Sequence, residues 1–342
     1  GETCWLFHNR GDGTFEDITA KSGVFDSSSK ALGVAMFDYD RDGWPDLLVA
    51  NDTQPNKLYR NQHDGTFKDV AMEAGIALSP EGKARAGMGV DTGDFTNSGE
   101  QGLAITNFDN EMAGVYRAGG AGAYEDVATQ AGIGLPTKNS LGFGCMFFDV
   151  NLDGYLDLAI ANGHIDDTVR NIRGNVGYAQ PPQLFLNNGK GTFRDVAAEV
   201  GSGFSQAKVG RGLAYADFDR DGDLDLLITT NNGPAYLYRN DQSSGNHSIR
   251  FRLIGTKSNR DAIGTTVRIE YGGMSQSRLV KSGSSYLSQS ELPATFGLGT
   301  REQVDRLVLQ WPSGQTEEYK NLAAGKTYEC TETKGIRALT GF

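Results

Sequence analysis

The sequence predicts an all-β chain in two parts, a β-propeller followed by a smaller antiparallel β-sandwich or barrel-like domain. Three observations predict it. A loop of one shape, D-x-[DN]-x-D-G-x-x-D-L, recurs at 38–47, 149–158 and 217–226, each time followed by a short apolar run. The units that carry these loops repeat every ~55 residues, stretched to ~68 in one copy, a period of blade-type repeats rather than helical solenoids. Beyond Asn240 the loops stop, and strand-like segments broken by Gly- and Ser-rich turns take over: Ile249 to Ile254, Thr265 to Tyr271, Arg278 to Lys281, Arg306 to Gln310 and Thr327 to Cys330.

Each loop is an aspartate ladder with side-chain oxygens at positions 1, 3, 5 and 9, a main-chain carbonyl at 7 and a glycine at 6 for the bend. The first supplies Asp38, Asp40, Asp42 and Asp46 with the carbonyl of Trp44. The second supplies Asp149, Asn151, Asp153 and Asp157 with Tyr155, and the third Asp217, Asp219, Asp221 and Asp225 with Asp223. Six to eight oxygen ligands in an adaptable arrangement are what Ca2+ takes, so three calcium sites are expected. An EF-hand is excluded. Its bidentate Glu would stand at position 12, where this chain has Val49, Ile160 and Ile228, and the flanks LLVA, LAIA and LLIT suit buried strands rather than helices.

Around each ladder the unit reads as four short strands. A glycine-containing strand enters the loop (Gly33 to Phe37, Gly144 to Phe148, Gly212 to Ala216) and the apolar strand leaves it. A third strand reads Leu58 to Asn61, Leu184 to Asn187 or Tyr236 to Asn240, and Asp64 to Val70 or Gly191 to Val196 forms a turn and fourth strand. Four short strands per unit is the grammar of a propeller blade. The glycine five residues before each ladder (Gly33, Gly89, Gly144, Gly212) suits an inner strand packed close to its neighbour near the axis.

A fourth loop, 94–103, keeps the glycine bend and loses most of its carboxylates, so weak or no cation binding is expected there. Its unit carries Asp91 where the siblings have Ala35, Met146 and Ala214; a carboxylate on an inner strand requires a partner, functional or structural. The chain opens in mid-repeat: Cys4 to Ile18 reads as strands three and four of a blade. Either the two ends share one blade, or further blades lie upstream or in a partner chain. The expected boundaries are 1–242 for the propeller, 246–334 for the second domain and 335–342 for a tail.

The second part contains Ser258-Asn259-Arg260-Asp261-Ala262-Ile263-Gly264, Gly283-Ser284-Ser285-Tyr286-Leu287-Ser288-Gln289-Ser290, Phe296-Gly297-Leu298-Gly299 and Trp311-Pro312-Ser313-Gly314. With the ladders before them, these motifs make the chain similar to the cartilage acidic protein/ASPIC-UnbV family, in which FG-GAP/VCBS-type repeats precede a C-terminal ASPIC/UnbV domain. The resemblance implies a propeller with a β-rich cap, calcium and secretion. It implies little about activity, although some members are associated with enediyne biosynthesis, and relatives usually carry more repeats upstream.

Net charge is −11, which argues against nucleic acid, since that needs a basic footprint. Three filled ladders would offset about six of those charges. No apolar run is long enough to cross a membrane. The chain starts at Gly1, as a processed or excised piece would, and an extracellular or periplasmic location suits calcium ladders. Cys4, Cys145 and Cys330 make no disulfide framework; one bridge plus a free thiol stays open, with Cys145 in an apolar stretch.

No G-x-S-x-G, H-E-x-x-H, C-x-x-C or Walker loop is present. Of four histidines, His164 opens a long insertion beside Asp166 and Asp167 and is a candidate for acid–base work or an ordinary surface histidine. Loops on the face opposite the ladders hold Lys30, Lys83, Arg85, Lys138, Lys208 and Arg211, a candidate rim for an anionic ligand unless these pair with nearby carboxylates. Ser284, Ser285, Ser288 and Gln289 form a polar loop able to bond a glycan or peptide, and Asn259, Arg260 and Asp261 suit a turn before Gly264. The leading expectation is an exported calcium-stabilised propeller that binds or assembles with a protein, glycan or anionic partner. The alternatives are a natural-product (enediyne-like) enzyme with Asp91 and His164 at its channel mouth, and a structural subunit of an envelope complex.

Overall fold

A computed structural model describes residues 1–339. Three complete blades follow one another: β3 (Ala31–Phe37) to β6 (Phe67–Asp69) through β4 (Asp46–Asn51) and β5 (Lys57–Asn61); β7 (Gly87–Gly93), β8 (Gly102–Asn107), β9 (Gly114–Ala118) and β10 (Tyr124–Asp126); and β11 (Gly142–Phe148), β12 (Asp157–Asn162), β13 (Gln183–Asn187) and β14 (Phe193–Asp195). Before them stands a two-stranded sheet, β1 (Phe7–Asn9) and β2 (Phe15–Asp17). After them comes a three-stranded one, β15 (Gly210–Ala216), β16 (Asp225–Thr230) and β17 (Tyr236–Tyr238). Every pair within these sheets is antiparallel, and each ladder forms the turn between first and second strands. The terminal sheets do not merge into one, so the shared-blade arrangement does not occur among the described residues.

The cores lie between blades. Phe37, Leu48 and Leu58 of the first full blade meet Val90, Leu103 and Tyr116 of the next; Phe95 and Val115 meet Phe147, Leu158 and Phe185; Phe148 and Leu184 meet Leu213 and Ile228. The expected glycines set this spacing. A Cβ on Gly33 would stand 2.6 Å from the carbonyl oxygen of Met88, and one on Gly144 2.8 Å from that of Arg211. Gly89 is tighter still against the carbonyl of Phe143. Each glycine thus receives the carbonyl just before the next blade's glycine. Gly212, last in the series, meets the Ser288 hydroxyl instead, 2.7 Å from an ideal Cβ.

The C-terminal domain is two four-stranded sheets around one core that includes Phe251, Val267, Phe296, Leu307 and Trp311. One sheet orders β21 (Ala294–Gly297), β18 (Ser248–Ile254), β24 (Lys326–Thr331) and β25 (Gly335–Ala338). The other orders β20 (Met274–Leu279), β19 (Thr266–Tyr271), β22 (Gln303–Gln310) and β23 (Thr316–Ala323). Two expectations are corrected. The domain is not wholly antiparallel: β18 and β24 run parallel, Ile249 opposite Lys326 through Ile254 opposite Thr331, across the long connection such pairing needs. And residues 335–338, set aside as tail, are strand β25, paired to β24 through Cys330–Ile336; residues 340–342 lie outside the described residues.

Candidate metal centres and the loop face

The ladder loops share one backbone. Position 4 takes a left-handed conformation in all four copies (Arg41, Asn97, Leu152 and Arg220, φ 61, 53, 58 and 65°), and the glycine at position 6 does so too. The position-1 carboxylate fixes the bend. Asp38 accepts the N–H of Asp42 (3.1 Å) and Gly43 (2.9 Å), and Asp149 that of Asp153 (3.1 Å) and Gly154 (2.9 Å). The position-9 carboxylate ties the loop to the sheet: Asp46 accepts from Tyr39 (2.8 Å) and Asn61 (2.7 Å), Asp157 from Val150 (2.9 Å) and Asn187 (2.8 Å), and Asp225 from Phe218 (3.0 Å) and Asn240 (2.8 Å).

Carboxylate oxygens of Asp38, Asp40 and Asp42 lie within 4.8 Å of one another, as do those of Asp217, Asp219 and Asp225. In the middle ladder Asn151 donates to Asp153 (3.0 Å). Burial pushes up the pKa values of Asp38, Asp46, Asp149, Asp153, Asp157, Asp217, Asp223 and Asp225, with neighbouring carboxylates adding to the rise at several of them; Asp46 reaches about 7 and Asp223 about 6. Asp40 Oδ1 and Asp217 Oδ1 are buried without a hydrogen-bond partner. Crowded carboxylates with idle inward oxygens fit a hard cation. The first ladder also pairs Asp42 with His63 (2.6 Å), whose ring stacks on Trp44 (4.9 Å).

Loop 94–103 reaches the same bend differently. Asp94 accepts Ser98 (3.0 Å) and Gly99 (2.7 Å) N–H groups, but position 9 is Gly102, and the Phe95 ring packs against it. Phe95 is fully buried and stacks on Phe147 (5.5 Å).

Sequence reasoning missed the asparagine at or just past the end of the third strand in the three units with intact ladders. Besides the main-chain bonds above, Asn61, Asn187 and Asn240 donate from Nδ2 to the position-8 carbonyls of Pro45 (3.1 Å), Leu156 (2.9 Å) and Leu224 (3.4 Å). Its recurrence at one place in each repeat was the available signal. Glu332 was missed too. It accepts the N–H groups of Thr256, Lys257 and Ser258 (2.7, 2.7 and 2.8 Å) and the hydroxyls of Ser258 and Ser313, joining two of the C-terminal motifs. Burial opposes its charge, yet the Ser313 hydroxyl and these N–H groups outweigh it and hold the carboxyl at about 2.

The loop face departs from expectation. Asp91 accepts the Phe147 N–H (2.7 Å) and pairs with Lys281 of the C-terminal domain, which also donates to the Thr92 carbonyl (2.7 Å). Buried His164 uses both ring nitrogens, Nδ1 accepting the Asp166 N–H (3.0 Å) and Nε2 facing Asp109 at 3.6 Å. Arg173 pairs with that same Asp109. The basic rim does not assemble. Arg85 pairs with Asp126 (2.8 Å), Lys30 bonds Thr53 (2.9 Å), and Arg211 donates to the carbonyls of Gly163 and His164 over the Phe143 ring. Buried Lys208 donates to the carbonyls of Phe204 and Gln206 above Tyr236. Lys83 and Lys138 stay exposed.

The polar loop expected to meet a glycan or peptide instead lies across the inner strands. Ser285 pairs with Val90 through both main-chain bonds (3.0 and 2.7 Å), and Ser288 and Ser290 accept from Leu213 (3.2 Å) and Tyr215 (3.1 Å). Only about 60 Å³ remains beside Asp91, Arg278, Lys281 and Glu291. Asn259 does hold its turn, bonding Ile263 through both side-chain atoms (2.9 and 2.7 Å). The three cysteines are free thiols, and burial raises those of Cys145 and Cys330.

Comparison with known proteins agrees with this architecture. A family model described as FG-GAP-like repeat matches residues 2–49, 38–101 and 163–228, and one described as ASPIC and UnbV matches 255–337. Human cartilage acidic protein 1 is 29% identical over 330 residues, covering 94% of this chain and 39% of the relative. The Xenopus tropicalis protein of that name is 28% identical over 319 residues, covering 91% and 38%. The chain therefore spans about two-fifths of these relatives. Among solved structures, the Dos1 propeller is similar at TM-score 0.35 and 10% identity, covering 90% of this chain and 71% of that one. The V. cholerae biofilm matrix protein Bap1 is similar at TM-score 0.37 and 11% identity, covering 94% and 62%. The chain belongs to the cartilage acidic protein/ASPIC-UnbV family, in which FG-GAP-like repeats precede an ASPIC and UnbV domain.

Proposed function

We propose that this chain is an exported, calcium-stabilised propeller that acts as a binding or assembly module for a protein partner. The observation that supports the binding role is a break in repeat symmetry. Phe7 holds the position of Tyr59, Tyr116 and Phe185, each opposite the aspartate of its fourth strand. Those three are 5%, 2% and 0% exposed, whereas Phe7 is 55% exposed, beside exposed Trp5 and Phe15. Whatever completes this blade, further repeats of the same polypeptide or a partner protein, would cover these aromatics. The ladders, with idle buried oxygens on Asp40 and Asp217, support calcium, and a name given to cartilage proteins in its relatives supports export. No helix among the described residues is long and apolar enough to cross a membrane. An anionic ligand has less support because Arg85, Lys208 and Arg211 are engaged internally, and a channel-mouth enzyme has less because the 283–290 loop lies over that place.

Native mass spectrometry of the chain isolated from its source in calcium tests the reading. The expected result is three calcium ions lost on chelation and a bound protein mass that disappears with Trp5→Ser and Phe7→Ser together. A chain without calcium refutes the stabilising role. A partner mass indifferent to both substitutions refutes the surface.

A further inference from the structure

We propose that ladders 149–158 and 217–226 are two-domain cation sites: their metal fastens the C-terminal domain, and that domain in turn sets their affinity, while ladder 38–47 binds alone. The proposal rests on the calcium reading above and concerns what the metal controls.

Three successive carbonyls of the middle ladder are held from outside its own blade. Val150 accepts from Asn240 Nδ2 of the next blade (2.8 Å), whereas Asn151 accepts from Asn246 Nδ2 of the linker (2.8 Å) and Leu152 from the Gly299 N–H of the C-terminal domain (2.9 Å). Gly297, at the end of β21, lies so close to the Asp149 carboxylate and the Leu152 backbone that a Cβ would collide with both. On the other side of the loop, Gly154 sits against the Tyr271 hydroxyl. In the last ladder, Arg250 of β18 donates to Asp217 Oδ2 (3.2 Å) and pairs with Glu291, while Asp217 Oδ1, nine-tenths buried, keeps no partner and faces Asp219 and Asp225. Gln242 in the linker donates to Asp223 (3.3 Å). The first ladder has no such contacts among the described residues: its ion pairs go to Arg60, His63 and Glu100, all within the blades.

The physical consequence follows from where these bonds land. Besides the inner-strand contacts of Lys281 and the 283–290 loop, the C-terminal domain grips the carbonyls and carboxylates of these two ladder loops. Without a cation, the neighbouring carboxylates of a ladder repel and the loop relaxes, taking the middle ladder's carbonyls out of register with Asn246 and Gly299. Coupling of this kind is reciprocal, so loosening the domain must weaken metal binding at the same two ladders by the same factor.

Hydrogen exchange of the full chain with and without chelator, read beside a native mass spectrum that counts ions, tests it. Chelation is expected to accelerate exchange in 240–254 and 294–299 by about tenfold, while strands β11 and β12 stay protected. Conversely, Asn246→Ala, in an exposed linker, and Gly297→Ala are expected to weaken calcium at two of three sites by about tenfold and leave the third unchanged. If ions leave and exchange in 240–254 does not change, or if Asn246→Ala binds all three ions as tightly as the native chain, the coupling is wrong. Asn246→Ala decides the matter even where Gly297→Ala fails to fold. A native chain that holds no ion overturns the calcium reading itself, and the coupling with it.

Discussion

Loops 149–158 and 94–103 sit on adjacent blades with the same bend, yet they are held shut in opposite ways. One holds the carboxylates of Asp149, Asp153 and Asp157 by main-chain N–H groups; the other replaces the ninth-position carboxylate by Gly102 and closes over the Phe95 ring. The left-handed fourth residue, the glycine at position 6 and the bonds to the first aspartate are common to both. The bend is therefore a property of the backbone and position 1. Positions 3, 5 and 9 decide what fills it. Asn187 touches both solutions, donating to the Phe95 carbonyl (2.7 Å) and the Leu156 carbonyl.

The comparison breaks most visibly at Phe95. Phe95→Ala empties a buried ring site and is expected to cost about 4 kcal/mol in equilibrium denaturation, with or without calcium. If the cost depended on calcium, this loop would hold metal after all. Asp149→Asn should behave in the opposite sense. At a calcium concentration about 100 times the dissociation constant, the ladder stabilises the fold by about 2.7 kcal/mol. The variant should lose most of that in calcium and little after chelation, as thermal melts in the two conditions would read.

Glu332 sharpens the contrast, being a buried carboxylate satisfied by N–H and hydroxyl groups instead of a cation. Glu332→Gln should cost about 2 kcal/mol at neutral pH. Because the folded carboxyl titrates at about 2, below its ordinary value of 4.5, its contribution is complete above the latter and fades as pH falls toward the former. Denaturation of native and variant chains across that window should converge at the acid end. The smallest effect is expected at Trp44→Ala. Trp44 is exposed and contributes to its ladder through its carbonyl, so the change should cost about 0.5 kcal/mol and leave the ion count intact. A lost ion would give the indole an unexpected part in the site.

The strands and the ladders were legible because their signals are local: apolar runs, turn glycines and spaced aspartates. The C-terminal strands that escaped notice lack such signals. β23 reads Thr-Glu-Glu-Tyr-Lys-Asn-Leu-Ala, an edge strand with only one buried residue and three charged ones, and β21 is a four-residue stretch ending in a glycine. The basic rim was misread for a related reason. Lys208 and Arg211 are satisfied by main-chain carbonyls, which every residue possesses and no sequence pattern marks. Asp91 announced itself as a misfit, but its partner Lys281 lies 190 residues further along the chain.

The blade series also has a direction, set by the glycine–carbonyl contacts near the axis. Each inner strand presents a glycine to the carbonyl of the blade that follows, and at Gly212 that place goes to the Ser288 hydroxyl. A hydroxyl from a turn cannot pass the pattern on, since no further glycine stands behind it. The C-terminal domain thus works as a chain terminator does in a polymer, stopping growth on one side. The other side, where Val34 of β3 remains 53% exposed, keeps the accepting geometry. The series of contacts is thus polar, with one end closed by the C-terminal domain.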